Sequence, residues 1–328
     1  MVMTHAIRIH EHGGPEVLRW EEVAVGAPGP GEVRLRHKAV GLNFVDVYHR
    51  IGLYPADASL PVVLGMEGAG VVEAVGSGVK EFRPGDLVAY ASFPLGAYAE
   101  ERLMPAERLV PVPKGIDAEQ AAAMMLKGMT AQYLIHDCFP VASGHTVLLH
   151  AAAGGVGQIA AQWASHKGAT VIGVVGTEEK AALARNAGCS HTIIAPSGDF
   201  VVEVKEITKG RGVDVVYDSV GKTTFMNGLD CLRKRGMMVS FGQSSGGIGA
   251  FDPALLAAKG SLFLTRPSLF DYTVGKEELR VRAAALFAAV EAKSVKINIG
   301  ARFPLREAAA AHRALESRQT TGSVVLVP

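Results

Sequence analysis

The pattern of apolar and polar positions changes its period along the chain. In the first third, short β-rich runs are separated by Gly/Pro turn signals such as GAPGPGE and RPGD. This spacing is typical of an all-β, barrel-like unit. The strands that it predicts lie at residues 6–10, 33–39, 70–75 and 87–90.

In the middle of the chain, apolar runs of strand length alternate with segments of helical spacing. Such alternation is typical of βαβ units and predicts a parallel sheet that helices cover on both faces. The predicted strands are 146–150, 170–175, 213–217 and 237–241, and the predicted helices are 154–167, 178–187 and 223–232. The tail is expected to hold a helix at about 276–293 and a last strand at 323–327.

A glycine-rich turn, HAAAGGVGQIAAQWA, begins at His150 and joins the first of these strands to a helix. Gly154 and Gly157 occupy the second and third glycine positions of a dinucleotide-binding fingerprint, while Ala152 stands at the first. Glycine at these places lets the backbone approach a pyrophosphate and lets the helix pack closely on the strand. The alternative is an ordinary tight turn, but the strand–turn–helix context favours cofactor binding.

The end of the second strand of this region bears on the choice between the two nicotinamide cofactors. An NAD enzyme places Asp or Glu there for the ribose 2′-hydroxyl, whereas this chain has Val174 to Thr177, with Lys180 one turn later. A lysine suits a 2′-phosphate, although Lys180 is alternatively an ordinary solvated helix residue. We therefore expect NADPH.

Composition excludes several classes of function. The 328 residues suggest two domains, and 48% hydrophobic with 20% charged residues is typical of a globular protein. A net charge of +1 provides no field that would attract nucleic acid or an anionic membrane. The three cysteines form no CxxC pair, which fits a reducing compartment better than a disulfide scaffold. The N-terminus lacks the apolar run of a signal peptide, and no apolar stretch is long enough to span a bilayer. We expect a cytoplasmic protein.

Several separate segments, in order along nearly the whole chain, give a much more specific indication than the glycine turn alone. These segments are NFVDVYHRIGLYP, AAAMMLKGMTAQYL, HAAAGGVG, VYDSVG, MMVSFGQSSG, GSLFLTRPSL and ESRQTTGS. On these segments the chain resembles the bacterial NADPH:quinone oxidoreductases, a zinc-free branch of the medium-chain dehydrogenase/reductase family that includes the zeta-crystallins.

The resemblance implies an α/β fold in which a GroES-like β-rich catalytic domain (1–124) precedes a doubly wound Rossmann domain (125–265). A C-terminal segment (266–328) would return to the catalytic domain, and the active site would lie in the cleft between the two domains. The resemblance also implies a homodimer joined along the Rossmann domain.

The resemblance further assigns site residues by motif. Asn43 and Tyr48 match positions that face the nicotinamide, and these two are also the candidate catalytic residues. The other implied cofactor-binding residues are Lys127, Thr130, Ala153, Gly154, Gly155, Val156, Gly157, Gly176, Thr177, Lys180, Ser219, Phe241, Gly242, Gln243 and Arg318. One departure is Ala195, which stands where relatives often have Tyr or His over the 2′-phosphate, so the preference for NADPH is expected to be weaker here.

The resemblance also implies that no metal is bound. The positions of catalytic zinc ligands in related alcohol dehydrogenases are occupied by Asn43, Met66 and Leu126, and residues 80–110 contain no cysteine for a structural zinc. His5, His10 and His12 are expected to be surface residues.

Without a Lewis acid, the substrate is expected to be already electrophilic, and a quinone fits this requirement. Tyr48 would then orient the acceptor or donate a hydrogen bond, unless it is only a packing residue. Asp46 is expected to cap a helix or to form a salt bridge rather than to act as an acid. An enoyl or alkenal double-bond reductase on the same fold remains an alternative, as does an NADPH-binding protein with a structural or RNA-binding role.

Overall fold

The computed structural model describes residues 1–54 and 59–328, so that Pro55, the last residue of the first resembling segment, lies outside it. Up to residue 133 the chain is rich in strands. These strands are β1 (Val2–Ile9), β2 (Arg19–Val25), β3 (Glu32–Leu42), β4 (Val62–Val63), β5 (Glu67–Val75), β6 (Leu87–Ala91), β7 (Glu101–Pro105) and β8 (Val110–Pro111). The helices here are α1 (Phe44–Arg50) and α2 (Ala118–Tyr133).

Strands and helices alternate in the middle of the chain, as the sequence predicts. The strands are β9 (Thr146–His150), β10 (Thr170–Val175), β11 (His191–Ile194), β12 (Val213–Asp218), β13 (Leu232–Ser240) and β14 (Phe263–Thr265). The helices are α3 (Gly155–His166), α4 (Glu178–Asn186), α5 (Val201–Ile207), α6 (Phe225–Cys231) and α7 (Ala254–Ala258). The tail adds α8 (Lys276–Glu291), β15 (Ile299–Pro304), α9 (Ala308–Glu316) and β16 (Ser323–Val327).

The chain divides into two compact units. Unit 1 contains Met1–Lys127, Thr273–Phe287 and Ile297–Pro328, and unit 2 contains Gly128–Tyr272 and Ala288–Lys296. Most of the C-terminal segment therefore belongs to the unit that the N-terminal strands form. None of the helices in the described part of the chain has the length and apolar character needed to cross a membrane.

Unit 1 is built on two sheets. A seven-stranded sheet has the order β15-β16-β3-β5-β6-β8, with β7 also paired to β3, and a three-stranded sheet has the order β2-β1-β4. Because β16 runs antiparallel to β3 and parallel to β15, the tail completes a sheet that the N-terminal half begins. Alternating apolar residues such as Val33, Leu35 and Val88 are buried in its core.

Unit 2 contains one parallel sheet with the order β11-β10-β9-β12-β13-β14. Counted along the chain this order is 3-2-1-4-5-6, the doubly wound arrangement of dinucleotide-binding folds. The strand that follows β9 along the chain, β10, pairs with one edge of β9, and β12 later pairs with the opposite edge of β9. Ligands of such sheets bind at the carboxyl ends of the strands, next to this change of direction. The predicted fold class is confirmed.

Candidate active site

The glycine-rich turn lies at the carboxyl end of β9, beside this change of direction. Gly154 is the N-cap of α3, which begins at Gly155, and Gly157 is buried one turn into the helix. A Cβ on Gly157 would lie 2.8 Å from the Cα of Ala152 and would overlap the carbonyl oxygen of Ala151. Only glycine permits this close approach, which leaves the first amide groups of α3 directed out of the helix end toward any bound anion.

The other candidate residues of unit 2 follow the carboxyl ends of neighbouring strands. Gly176 and Thr177 follow β10, and the Thr177 hydroxyl caps α4 by accepting a hydrogen bond of 3.3 Å from the amide of Lys180. Ser219 follows β12, and Phe241 and its two successors follow β13. Parallel strands bring these ends to one edge of the sheet, so the structure places the predicted residues of unit 2 along the same edge.

Asp218, the last residue of β12, organises the loop that carries Ser219. Its buried carboxylate accepts hydrogen bonds from the amides of Val220 and Gly221 at 2.7 and 3.1 Å and from the Thr224 hydroxyl at 2.9 Å. A carboxylate with several such donors fixes a loop more firmly than neutral groups would. The backbone of Ser219 is therefore held in one position.

In unit 1, the candidate residues Asn43 and Tyr48 belong to the short helix α1 and its cap. Asn43 is the N-cap, and the carboxylate of Asp46 accepts a hydrogen bond of 2.8 Å from the backbone amide of Asn43. The backbone amide of Asp46 is in turn directed to the Asn43 side chain, so the two residues form a capping box, which agrees with the expectation that Asp46 caps a helix. Tyr48 is 8% exposed, and its ring packs against Phe44 and, edge to face, against Tyr54.

Glu67, at the start of β5, connects this cap to the middle of α2. Its carboxylate accepts hydrogen bonds from the side-chain amide of Asn43 at 2.8 Å, from the backbone amide of Leu126 at 2.7 Å and from the ammonium of Lys127 at 3.1 Å. Glu67 is fully buried, and Asn43 and Lys127 are only 6% exposed. Gly41 is the cross-strand partner of Glu67, and a Cβ there would overlap the carboxylate.

A chain of buried hydrogen bonds continues from Asp46 to α9. Tyr98 lies 3.1 Å from Asp46 and 3.0 Å from Nε2 of His312, and Arg50 donates to Nδ1 of His312 at 2.8 Å. Arg50 can only donate, so the neutral ring carries its proton on Nε2 and donates to Tyr98, which donates to Asp46. Arg50 also forms a bidentate pair with Glu316 at 2.8 and 2.9 Å.

Burial shifts the pKa values of both ends of this chain. Desolvation raises the pKa of Asp46 to about 7, against the opposing effect of the hydrogen bonds from Asn43 and Tyr98. Desolvation, reinforced by the charge of Arg50, lowers the pKa of His312 to about 3. At neutral pH the histidine is therefore an uncharged structural link between α1 and α9.

The remaining candidates lie at helix ends. Thr130 is buried one turn beyond Lys127 on α2. Arg318 is exposed in a left-handed conformation, with φ of 60°, just after α9. The cofactor contacts of both residues stay a prediction.

Two acidic residues of this region were missed by the sequence reasoning, Glu67 and Asp218. Each is a carboxylate within or directly after an apolar strand, in LGMEGAGVV and DVVYDSVG. Charged residues in such runs are rarely buried unless they are paired, and that feature could have identified them.

Known proteins with the same architecture cover the whole chain. Residues 29–114 match the alcohol dehydrogenase GroES-like domain, and residues 155–288 match the zinc-binding dehydrogenase family. A 2-haloacrylate reductase from Burkholderia sp. is 52% identical, with 99% of each chain covered. A quinone oxidoreductase from Pseudomonas aeruginosa is 50% identical, covering 99% of this chain and 100% of the relative.

The solved structures agree with these relatives. The crystal structure of Escherichia coli quinone oxidoreductase complexed with NADPH has a TM-score of 0.96 and 46% identity, and it covers 99% of this chain and 100% of that one. The chain belongs to the quinone oxidoreductase family. The family predicted from the sequence segments is thus confirmed. The prediction that the protein is an enzyme is confirmed by the same relatives.

The contact between α3 and β9 predicts the effect of enlarging Gly157. We expect Gly157→Val to lower the affinity for NADPH at least tenfold, because the side chain forces the helix end away from the turn. Fluorescence titration with NADPH measures this. Gly26→Val is the control, since a Cβ on Gly26 meets no atom within 4 Å. Normal affinity in a folded Gly157→Val protein would show that the turn does not bind the cofactor.

The neutral state of His312 predicts how stability depends on pH. Its pKa is near 6.5 when unfolded and about 3 when folded, so between these values only the unfolded state binds the proton. His312 therefore contributes a loss of stability as pH falls below 6.5, by up to about 1.4 kcal/mol per pH unit, while Asp46, with its folded pKa raised to about 7, contributes a change of the opposite sign. We expect His312→Gln to flatten the dependence of the urea midpoint on pH between 5 and 6.5 by this one proton. An unaltered slope in His312→Gln would mean that the folded protein accepts the proton.

Proposed function

We propose that this chain transfers a hydride from NADPH to a quinone and does so without a metal ion. The observation that carries the proposal is the full-length match to a quinone oxidoreductase whose crystal structure contains NADPH, with a TM-score of 0.96. Two features of unit 2 support it, the doubly wound strand order and the glycine-rich turn at the carboxyl end of β9.

The residues of unit 2 fit a dinucleotide. Gly154 and Gly157 let the start of α3 lie close against the turn, and the helix dipole favours negative charge at the first amides of α3. A Cβ on Gly176 meets no atom within 4 Å, so this strand end is open. Thr177 and Lys180 stand in the first turn of α4, where the adenosine side would be held.

The residues that replace the zinc ligands do not fit a zinc ion. Asn43 uses its amide to donate to Glu67, and Met66 is fully buried. Leu126 offers only its backbone amide, which also donates to Glu67. Within residues 1–54 and 59–328, no group of three or more His, Cys, Asp or Glu side chains could hold a metal ion. We derive no catalytic step through zinc.

NADPH, when bound, supplies the hydride, and the residues of the chain supply position and hydrogen bonds. Asn43 and Lys127 would orient the nicotinamide half through an amide and an ammonium that Glu67 holds in place. Tyr48 would donate a hydrogen bond to the quinone oxygen that gains negative charge. A quinone needs little further assistance, since its reduction forms an aromatic ring.

A second candidate is the reduction of an activated carbon–carbon double bond. It is favoured by the 52% identity to a 2-haloacrylate reductase over 99% of the chain. Both substrates accept a hydride at an electrophilic centre, but the double bond also needs a proton at carbon.

Steady-state oxidation of NADPH with a panel of acceptors separates the two functions. The panel consists of ortho- and para-quinones, 2-chloroacrylate, an enal and a simple aldehyde. We expect quinones to give the largest kcat/KM and the aldehyde to give none. A larger kcat/KM for 2-chloroacrylate or the enal would favour the second function, and NADPH binding without any turnover would favour a binding protein.

Assembly and location are part of the same proposal. We place the protein in the cytoplasm as a homodimer joined through unit 2, where β14 is the last strand of the sheet and Phe263 is 57% exposed. An edge strand with an exposed aromatic residue can pair with its copy across a twofold axis. Sedimentation equilibrium would reveal a monomer if this is wrong.

The position of Lys180 predicts the choice of cofactor. We expect NADPH to be preferred to NADH, and Lys180→Ala to reduce the ratio of the two kcat/KM values by about tenfold, because a charged hydrogen bond contributes about 1.5–3 kcal/mol. Ala195 should keep the initial preference modest. Lys205→Ala, which removes an exposed lysine of α5, is the control. Equal ratios in wild type and Lys180→Ala would show that Lys180 does not contact the 2′-phosphate.

The hydrogen-bonding role of Tyr48 predicts a moderate loss. We expect Tyr48→Phe to reduce quinone turnover by about tenfold or less, since the product anion is delocalised and one decade corresponds to 1.36 kcal/mol. NADPH affinity should be retained because the ring contacts with Phe44 and Tyr54 do not involve the hydroxyl. A loss beyond a thousandfold would identify an obligatory proton donor and favour double-bond reduction. Unchanged kinetics would make Tyr48 a packing residue.

A further inference from the structure

Glu67 is a buried carboxylate that the proposed reaction does not use directly. It lies at the start of β5, opposite Gly41 of β3, and its side chain is fully shielded from solvent. An isolated buried carboxylate is costly, so its retention requires partners. The partners that it has are Asn43, Lys127 and the backbone of Leu126.

The hydrogen bonds fix the orientation of Asn43. An ionised carboxylate only accepts, so the amide must present its nitrogen to Glu67, as the 2.8 Å contact shows. The amide oxygen is then directed away from Glu67. That oxygen also faces the backbone amide of Asp46 in the capping box, and its other lone pair is offered to a polar ligand group in one fixed direction.

The same carboxylate holds the ammonium of Lys127 in place. The ammonium is 7% exposed and lies 3.1 Å from Glu67, so the two groups form a buried ion pair. One of its three N–H bonds is used by Glu67. Among the residues that the structure describes, no other acceptor takes the remaining two, which a ribose hydroxyl or carboxamide oxygen can accept.

We propose that Glu67 is a positioning residue for NADPH, which presents the amide oxygen of Asn43 and the ammonium of Lys127 to the nicotinamide half of the cofactor. The inference rests on the proposed cofactor contacts of those two residues. Glu67 itself touches neither cofactor nor substrate, and it acts through the two side chains that it holds.

A glutamine at position 67 has nearly the same shape as the glutamate but cannot accept all of its hydrogen bonds. In Glu67→Gln one acceptor oxygen becomes a donor, while the three donors of Asn43, Leu126 and Lys127 remain. At least one of them must then lose its acceptor or turn away. Asn43 and Lys127 share one oxygen of Glu67 and Leu126 uses the other, so the new amide nitrogen either removes the shared acceptor of the two side chains or opposes the Leu126 amide and displaces the turn of α2 that carries Lys127.

Glu101→Gln is a matched control. Glu101 is also a buried carboxylate of unit 1, 2% exposed, and it pairs with Arg36 at 2.6 Å and Arg34 at 3.5 Å. Its loss removes a comparable ion pair in the same unit, on β7, without touching Asn43 or Lys127. A purely structural role of Glu67 should therefore resemble that of Glu101.

The experiment measures the NADPH dissociation constant by fluorescence titration, together with kcat, KM for NADPH and thermal stability. We expect Glu67→Gln to raise the dissociation constant and KM about tenfold, and Glu101→Gln to change them less than twofold at a similar loss of stability. In the Lys127→Met background, where one of the two side chains that Glu67 acts through is gone, Glu67→Gln should add less than threefold. Glu67→Asp, which keeps the charge, should be intermediate and serves if Glu67→Gln does not fold.

Two outcomes overturn the proposal in distinguishable ways. If Lys127→Met weakens NADPH binding but Glu67→Gln and Glu67→Asp do not, Glu67 has no positioning role and the proposed cofactor contact of Lys127 stands. If Lys127→Met itself binds NADPH normally, that contact fails and the role of Glu67 fails with it. The quinone panel tests the proposed function independently of either result.

Discussion

The buried carboxylate of Glu67 joins three elements of unit 1. It belongs to β5, accepts from the cap of α1 through Asn43, and accepts from α2 through Leu126 and Lys127. A charge without solvent is tolerated only when such donors surround it, so the three elements are held in one arrangement. Gly41 is needed opposite Glu67 because any Cβ would occupy the place of the carboxylate.

Unit 2 holds its loops with one buried carboxylate and with backbone amides. The parallel sheet brings the carboxyl ends of β9, β10, β12 and β13 to one edge, and the loops that follow need polar groups to hold them. Asp218 supplies these for the loop after β12, and the first amides of α3 stay available where Gly157 lets the helix approach. Both units thus use a buried carboxylate or a helix end to keep polar groups in fixed directions.

The regular strands of unit 2 could be predicted because their signal is local. The runs 146–150 and 170–175 match β9 and β10 in full, since apolar β-branched residues bounded by polar ones define a buried parallel strand. The start of β13 could not be found, because its first residues, LRKRG, are polar and follow α6 directly. Leu232, at the end of the predicted helix, instead begins the strand.

The helices of the site in unit 1 were harder to predict. Helix α1 contains Val45 and Val47, which favour strands, and it depends on Asp46 and on the contact of Arg50 with α9. Helix α2 is rich in Ala and Met and is buried on almost every side, so it shows no polar face. The role of Glu67 could not be inferred from sequence, because its partners lie 24 and 60 residues away.

We infer that the nicotinamide half of NADPH depends on Asn43 and Lys127, which Glu67 holds in place. Hydrogen–deuterium exchange with NADPH, and with 2′,5′-ADP as a ligand that lacks the nicotinamide half, tests it most directly. We expect both ligands to protect the amides of residues 176–180, and only NADPH to protect residues 43–48 and 126–128 as well. No protection of residues 43–48 and 126–128 by NADPH would show that Asn43 and Lys127 do not hold the nicotinamide half.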